Sequence, residues 1–538
     1  MTNRSDDAGH DFTRRLAGVA ALVFVLSIAW QSLRIARPFV FDDEGNACGL
    51  VMMPPINYLR YGPFEKKLGA VTNIGRVDRE NLTAYVHHPP AVTITSAIAH
   101  AMFGRADWVA RLVPCLFTAL LTMLLFVAIG QSQGMRAGLL AAAIFAVLPI
   151  TVFFGGMPDY LNSQVIFFSV LTLWLWRQSL QKPSRAMRAA VIAAMLLAGV
   201  SDWPGFYVVA VIWFAAWAML RRFDWFSHIV LPVIGAAFLL LLALWMQWAG
   251  ADVPLIVQFL HRTSGSIDST GEQLNVVKWL TTVLPAMSAL HTLPILACLP
   301  IYLALCAMFK WRPCQNGDAA FRPDPFILML VGILMIHFVI ARQGCTRHSW
   351  WHVPFTPAIA CCAAMVMEKA LRVCEKRWNI RWIGIAAATI VVVTLALWST
   401  HLDAQRRAGN RYVDGYTMKE LGEVIRSVAA EDEAVITSDC SDWPMNFSQP
   451  AMGWYADRQF RSCVIDRQSF EAALPPGPYI LFHGYRQSNG PAPRWFVMPA
   501  VHRKTCIELT AILDSRYAVR QVGNCYVYDL QSIPKQNP

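Results

Sequence analysis

Long apolar runs recur along the first three-quarters of the chain and then stop. They fall near residues 16–36, 89–103, 107–130, 136–155, 160–176, 188–201, 204–220, 228–249, 286–309, 325–341, 351–367 and 382–400. A helix needs roughly 20 apolar residues to cross a bilayer, and most of these runs approach that length. The pattern predicts a polytopic α-helical membrane protein. From about Tyr416 it changes. Met418 to Ala429 places Leu421, Val424, Ile425 and Val428 on one helical face. Ala434-Val435-Ile436-Thr437 and Tyr479-Ile480-Leu481-Phe482 read as short buried strands. The organisation expected is a tail over 1–15, a membrane domain over 16–400 with a large loop at 37–106, and a soluble C-terminal α/β domain over 401–538.

Charge gives the orientation. Basic clusters lie at Arg14 and Arg15, at Arg177 to Arg188, at Arg221 and Arg222, at Lys310 to Arg322, and at Lys369 to Arg381. All of them fall in the cytoplasm, as the positive-inside rule requires, only if one early segment does not cross. The run 89–103 is the shortest candidate and reads as a re-entrant or surface helix. About eleven spans remain, with the N-terminus inside and the C-terminal domain outside. Residues 37–106, Gly155 to Tyr160, Gly250 to Lys278 and Arg342 to Trp350 then share the outer face with that domain.

Composition agrees: 56% of the 538 residues are hydrophobic and 15% charged. The net charge of +11 is spent on short clusters between apolar runs, so it argues topology, not nucleic-acid binding. Leu16 to Ile35 is long for a signal h-region and reads as a retained first span. The chain has no Walker A motif, no GxGxxG, no CxxC pair and no HExxH. These absences disfavour an ATP-driven transporter, a dinucleotide enzyme and a zincin.

The candidate chemistry gathers on the outer face. Asp42, Asp43 and Glu44 follow the first span, where interfacial carboxylates point to function. They suit a general base or a metal ligand. His87 and His88 precede Pro89-Pro90, a helix start, and offer a metal or phosphate contact. Asp159 fits the first turn of a following helix, while Asp202-Trp203-Pro204-Gly205 reads as a plain turn. His261 and Arg262 sit in a Gly- and Ser-rich loop. Arg342, Arg347, His348 and His352 run against the positive-inside trend, which an anion such as a lipid phosphate would explain. Cys440, Cys463, Cys506 and Cys525 fall in the outer domain. Of the three pairings open to them, Cys506 with Cys525 is favoured.

In order and sidedness these elements resemble a known family. Asp43-Glu44 after the first span, His87-His88-Pro89-Pro90 closing the first outer loop, Asp159 in an outer turn, and Arg347 leading into Trp351-His352-Val353-Pro354 look like the GT-C glycosyltransferases. The chain is most similar to their protein O-mannosyltransferase and aminoarabinose transferase branch, over roughly 15–400. The resemblance implies a GT-C fold and a catalytic base among Asp43, Glu44 and the adjacent Asp42. It implies a donor phosphate near His87, His88, Asp159, His261, Arg262, Arg342, Arg347 and His348. Where the aminoarabinose branch has Glu-Lys-Pro-Pro, with the Glu a metal ligand, this chain has His87. A divalent metal would therefore rest on His87 and His261. Many relatives have a Lys-Gly pair where this chain has Asp202-Trp203-Pro204-Gly205.

The implied reaction moves a sugar from a polyprenyl-phosphate-linked donor to an acceptor on a protein, lipid A or an envelope glycan, with inversion and without a nucleotide cofactor. The implied location is a bacterial inner membrane with a periplasmic C-terminal domain. A competing class is a transporter or flippase of a lipid-linked or anionic substrate. It would need midplane charges and paired repeats, and the sequence offers neither.

Overall fold

The computed structural model describes residues 3–39, 43–159, 161, 163–220, 222–251, 257, 276–308, 323–378, 381–409, 417–438, 449–461, 466–475, 477–478, 489–490 and 492–532. They form two compact units. One comprises Met1–Ile35, Arg111–Gln247 and Asp252–Ala404; the other comprises Ala36–Ala110, Trp248–Ala251 and Gln405–Pro538.

From the N-terminus the helices are α1 (Asn3–Ile35), α2 (Asp43–Tyr61), α3 (Ala91–Phe103), α4 (Asp107–Gln133), α5 (Met135–Val147), α6 (Pro149–Phe154), α7 (Ser163–Gln181) and α8 (Arg185–Ser201). Then come α9 (Tyr207–Met219), α10 (Leu231–Ala249), α11 (Val276–His291), α12 (Leu293–Met308), α13 (Pro325–Ile340), α14 (Arg342–Arg347), α15 (Thr356–Trp378) and α16 (Arg381–Gly409). The C-terminal helices are α17 (Met418–Val428), α18 (Gln449–Ala456), α19 (Arg467–Ala473), α20 (His502–Thr505) and α21 (Ile507–Arg516).

The first unit is an apolar helical bundle. Helices α5 and α15 pack together and both are rich in small residues, Ala137 and Ala141 in one and the run Ala360 to Ala364 in the other, all nearly solvent-free. Small side chains let membrane helices approach closely, and dispersion then holds them. At Gly138 a Cβ would lie 2.6 Å from the Phe126 carbonyl, so no larger residue fits between α4 and α5. Helix ends are set locally: Ser184 caps α8 through the Met187 N–H, and Asp324 caps α13 ahead of Pro325.

By length and apolar content, four helices among the described residues can cross a bilayer: Phe12–Ile35, Asp107–Gln133, Phe226–Ala249 and Trp382–Ala408. A count of about eleven has to include shorter apolar helices such as α5 and α13. Two expected single spans are broken. The run 136–155 divides where Pro149 opens α6, because proline cannot continue the ladder. The run 286–309 divides at Thr292, which has φ +60°, and the chain bends there by 107°. A β-branched residue rarely adopts that conformation. Helix α3 has 13 residues, about 20 Å of rise against a core of about 30 Å.

The second unit joins two segments distant in sequence. Its sheet runs β4 (Gln459–Arg461), β3 (Ala434–Thr437), β7 (Trp495–Pro499), β9 (Cys525–Asp529) and β8 (Ala518–Val522), with β3 parallel to β4 and β7 and the rest antiparallel. Short hairpins pair β1 (Ala70–Val71) with β2 (Ala84–Tyr85), and β5 (Gly477–Pro478) with β6 (Asn489–Gly490). Alternation along the strands creates two cores. Val435, Val497, Cys525 and Val527 pack with Met418, Leu421 and Ile425 of α17. Ile436, Phe496, Met498 and Tyr528 pack with Phe470, Leu509 and Leu513. The first core also takes in Phe39, Met52, Met53 and Ile74 from the loop after α1.

Polar contacts stitch the same junction. Asp457 forms ion pairs with Arg60 (2.8 Å) and Arg105 (2.6 Å), and Arg105 also covers the Trp454 ring. Asp107 accepts from Trp454 Nε1 (2.9 Å) and the Tyr455 hydroxyl (3.2 Å). Gly75, at φ +76°, presses onto β4: a Cβ there would sit 2.6 Å from the Gln459 nitrogen. Trp454 and Tyr455 are buried in this junction.

The expected helix at Met418 and strand at Ala434 are present; Tyr479–Phe482, Cys440 and Cys463 lie outside the described residues. The Cys506–Cys525 pairing is corrected. Both thiols are free, and they belong to opposite faces of the sheet, Cys525 to the α17 core and Cys506 to the α21 core. Burial pushes the Cys525 thiol up to about 12. A maleimide should therefore label Cys506 in the native protein and Cys525 only after denaturation; a peptide carrying a 506–525 disulfide would contradict this. Asp457→Asn keeps the residue's left-handed conformation (φ +48°) and leaves two half-buried guanidinium groups without their carboxylate. Denaturant unfolding should show a loss of about 2 kcal/mol, and an unchanged midpoint would mean that the ion pairs contribute nothing.

Candidate active site

The expected acids open a helix instead of trailing one. Asp43 is the first residue of α2, where the helix dipole favours an anion. Asp42 lies outside the described residues, as do the side chains of Asp43 and Glu44. His87 and His88 follow β2 and rest on one tyrosine: the His87 ring stacks on Tyr85 at 4.7 Å, and His88 tilts against it at 5.6 Å. All of these belong to the second unit.

The remaining candidates belong to the first unit, and its chain tracing fixes which end they occupy. The C-terminus of α4, the N-termini of α5 and α13 and the C-terminus of α15 share one end. Their side chains meet there, Arg136 pairing with Glu368 and Glu375, and Asp324 accepting from Ser132 and Gln133. The opposite end receives the start of α4, the end of α13 and the start of α15, and so Arg342 and His348. Arg342 lies over the Trp279 ring at 5.9 Å, and His348 stacks on Trp350 at 4.4 Å. Behind them the 3-10 segment Ser349–Phe355 buries His352, whose Nε2 meets the Cys345 carbonyl at 2.9 Å. His337 meets the Trp351 carbonyl, also at 2.9 Å. Gly344 permits this wrap, since a Cβ there would strike the Trp351 ring. The Arg347 side chain, His261 and Arg262 lie outside the described residues.

Asp159 is half-buried at the same end, but it precedes α7 by four positions and is not in that helix's first turn, as Ser163 is the first helical residue. The turn before it is held from within the bundle. Thr118 donates to the Gly155 carbonyl at 2.6 Å, and Arg111 to the Gly156 carbonyl at 3.5 Å.

Three buried charges here escaped the sequence reading. Arg34 is 7% exposed, bonded to Thr400 (3.2 Å) and 3.7 Å from Asp403. Arg111 is 3% exposed, and both arginines act electrostatically on Cys115. Asp202, expected as a plain turn residue, is 2% exposed and within Coulomb range of His337. The signal was present: Arg111 sits inside the apolar run 107–130, and an ionisable residue within a span is a functional candidate by default.

No group of three or more His, Cys, Asp or Glu among the described residues could hold a metal ion. His87, the expected ligand, has its ring committed to Tyr85. The described residues do not fit a metal.

Residues 87–248 match the family described as dolichyl-phosphate-mannose-protein mannosyltransferase. No curated protein matches the chain in sequence. Among solved structures the chain is similar to ArnT from Cupriavidus metallidurans bound to undecaprenyl phosphate, at 16% identity and TM-score 0.57, covering 98% of this chain and 99% of that one. The apo ArnT matches at 15% identity and TM-score 0.55, over 97% and 98%. The oligosaccharyltransferase AglB from Archaeoglobus fulgidus, in complex with an inhibitory peptide and a dolichol-phosphate, matches at 12% identity and TM-score 0.50, over 96% of this chain and 75% of that one. Along its length the chain shares the fold of ArnT, and its residues 87–248 match the mannosyltransferase family.

Proposed function

We propose that this enzyme transfers a sugar from a polyprenyl-phosphate-linked donor to an acceptor hydroxyl or phosphate at the outer face of a bacterial inner membrane. The observation that carries the reading is the fold match, over 98% of the chain, to an ArnT holding undecaprenyl phosphate. The buried arginines of the first unit support it independently, because cations sequestered from water at one end of an apolar bundle suit a lipid-borne phosphate.

In this reading one carboxylate of Asp42, Asp43 and Glu44 takes the proton from the acceptor O–H as its oxygen attacks the anomeric carbon. The bond from that carbon to the phosphate oxygen breaks, and the electron pair leaves with polyprenyl phosphate. Attack opposite the leaving group inverts the anomeric centre. Arg342, Arg347 and His348, with Arg34 and Arg111, stabilise the charge gathering on the phosphate. His87, His88, Asp159, His261 and Arg262 orient the sugar phosphate. The lipid tail lies along apolar helices, and the unit holding the C-terminal α/β fold stands on the periplasmic side with the acceptor. The acceptor class is a protein, lipid A or an envelope glycan. No step runs through a metal.

Membranes carrying the chain should transfer label from a panel of radiolabelled polyprenyl-phosphate sugars. One of Asp42→Asn, Asp43→Asn and Glu44→Gln should lower the rate by about a thousandfold, and Arg111→Gln by about a hundredfold. Full transfer by all three carboxylate variants would move the base elsewhere. No transfer by the unaltered chain from any sugar in the panel would overturn the reading.

A further inference from the structure

The end of the first unit opposite the candidate site carries a cavity that the transferase reading leaves unused. Helices α7 and α8 form a hairpin, and α9 runs back beside them, so the end of α7, the start of α8 and the end of α9 lie together. An open cavity of about 380 Å³ sits among them. Arg188 and Arg222 line it, with Phe223, Phe226, Ser179 and Asp224. This is the end to which the positive-inside rule assigns the cytoplasm.

Among the described residues its arginines outnumber its acids. Neither Arg188 nor Arg222 has a carboxylate within salt-bridge distance among the described residues, and the neighbouring Lys182 and Arg185 have none either. Asp224, the acid in the lining, is committed elsewhere. It accepts from the Ser227 backbone N–H (3.0 Å) and hydroxyl (2.6 Å), and that hydroxyl accepts from Trp176 Nε1 (2.8 Å). The acid therefore braces the π-helical turn Phe226–Val230 through one oxygen, and two arginines face this one carboxylate across the cavity. Arg188 is steadied over the buried Phe226 ring at 5.3 Å.

Beside these cations the surface is apolar. Phe223 and Trp225 are 50% and 69% exposed, and the exposed Trp217 and Phe214 of α9 and Val233 of α10 extend the patch. Aromatic rings next to arginines mark the headgroup level of a bilayer. A free anion would use the cations and leave the apolar face unexplained. A phospholipid uses both, and basic pockets between helices on the cytoplasmic side suit anionic headgroups.

We propose that this cavity binds an anionic phospholipid, its phosphate held by Arg188 and Arg222 and its acyl chains lying along the exposed face of α9 and the turn after it. The inference rests on the membrane topology and not on the transferase reading.

The test uses the full chain, delipidated in detergent, with thermal unfolding followed as short-chain phosphatidylglycerol, phosphatidylcholine or inorganic phosphate is added. Phosphatidylglycerol should raise the midpoint, with phosphatidylcholine and inorganic phosphate giving little. The Arg188→Gln/Arg222→Gln variant should bind phosphatidylglycerol on the order of tenfold more weakly. Arg14→Gln/Arg15→Gln, which removes two charges elsewhere, should keep the full response. Both arginine pairs are exposed, and monodispersity in detergent confirms folding. An equal response from the cavity variant would overturn the site, equal effects of the two lipids would overturn its preference for anions, and a full response to inorganic phosphate would make the ligand a free anion instead of a lipid.

Discussion

Asp457 holds Arg60 and Arg105 at once, and Arg60 lies 397 positions away in the chain. Everything in the second unit depends on closing that distance. The loop after α1 shares a core with the C-terminal sheet. Phe39, Met52, Met53 and Ile74 supply apolar area to the α17 face, and Gly75 lets the loop backbone press against β4. The ion pairs then fix register more than they add stability, since pairs taken partly out of water gain little net energy. The consequence reaches the chemistry, because the helix that carries Asp43 and Glu44 at its start is anchored by this same core.

The membrane character and the α/β nature of the C-terminal segment were legible in the sequence, because both follow from period and length. Met418–Val428 shows why: four apolar residues on one face and a Thr417–Glu420 capping box define that helix locally. The breaks at Thr292 and Pro149 were not legible as breaks, since hydrophobicity runs straight through both. The pairing of loop with C-terminal segment was invisible for another reason. It is made by single contacts such as Trp454 with Asp107, and no local pattern announces a partner nearly 350 residues away.

The candidate site was half legible. Arg342 and His348 stood out because they run against the charge rule in the orientation the sequence predicts, and the first unit places them at the end away from the paired acids. Arg34 and Arg111 were missed because each sits within or beside a long apolar run, where the eye counts hydropathy and passes over a lone cation. Asp202 was dismissed because Asp-Trp-Pro-Gly is good turn chemistry. It is both a turn residue and a buried acid, and only its 2% exposure reveals the second role.

The two ends of the first unit treat charge in opposite ways. At one end Glu368, Glu375 and Asp324 are each satisfied by an arginine, a serine or a glutamine. Such acids have little left to offer a ligand and serve to lock α4, α5, α13 and α15 together. At the other end Arg34, Arg111 and Asp202 are withdrawn from water beside buried polar side chains such as Thr118 and Ser163. Keeping charge there costs several kcal/mol per ion unless something compensates it. Asp403 compensates Arg34 in part, at 3.7 Å. Two arginines held out of water at that end are the physical reason to place anion chemistry there, whichever sugar is carried.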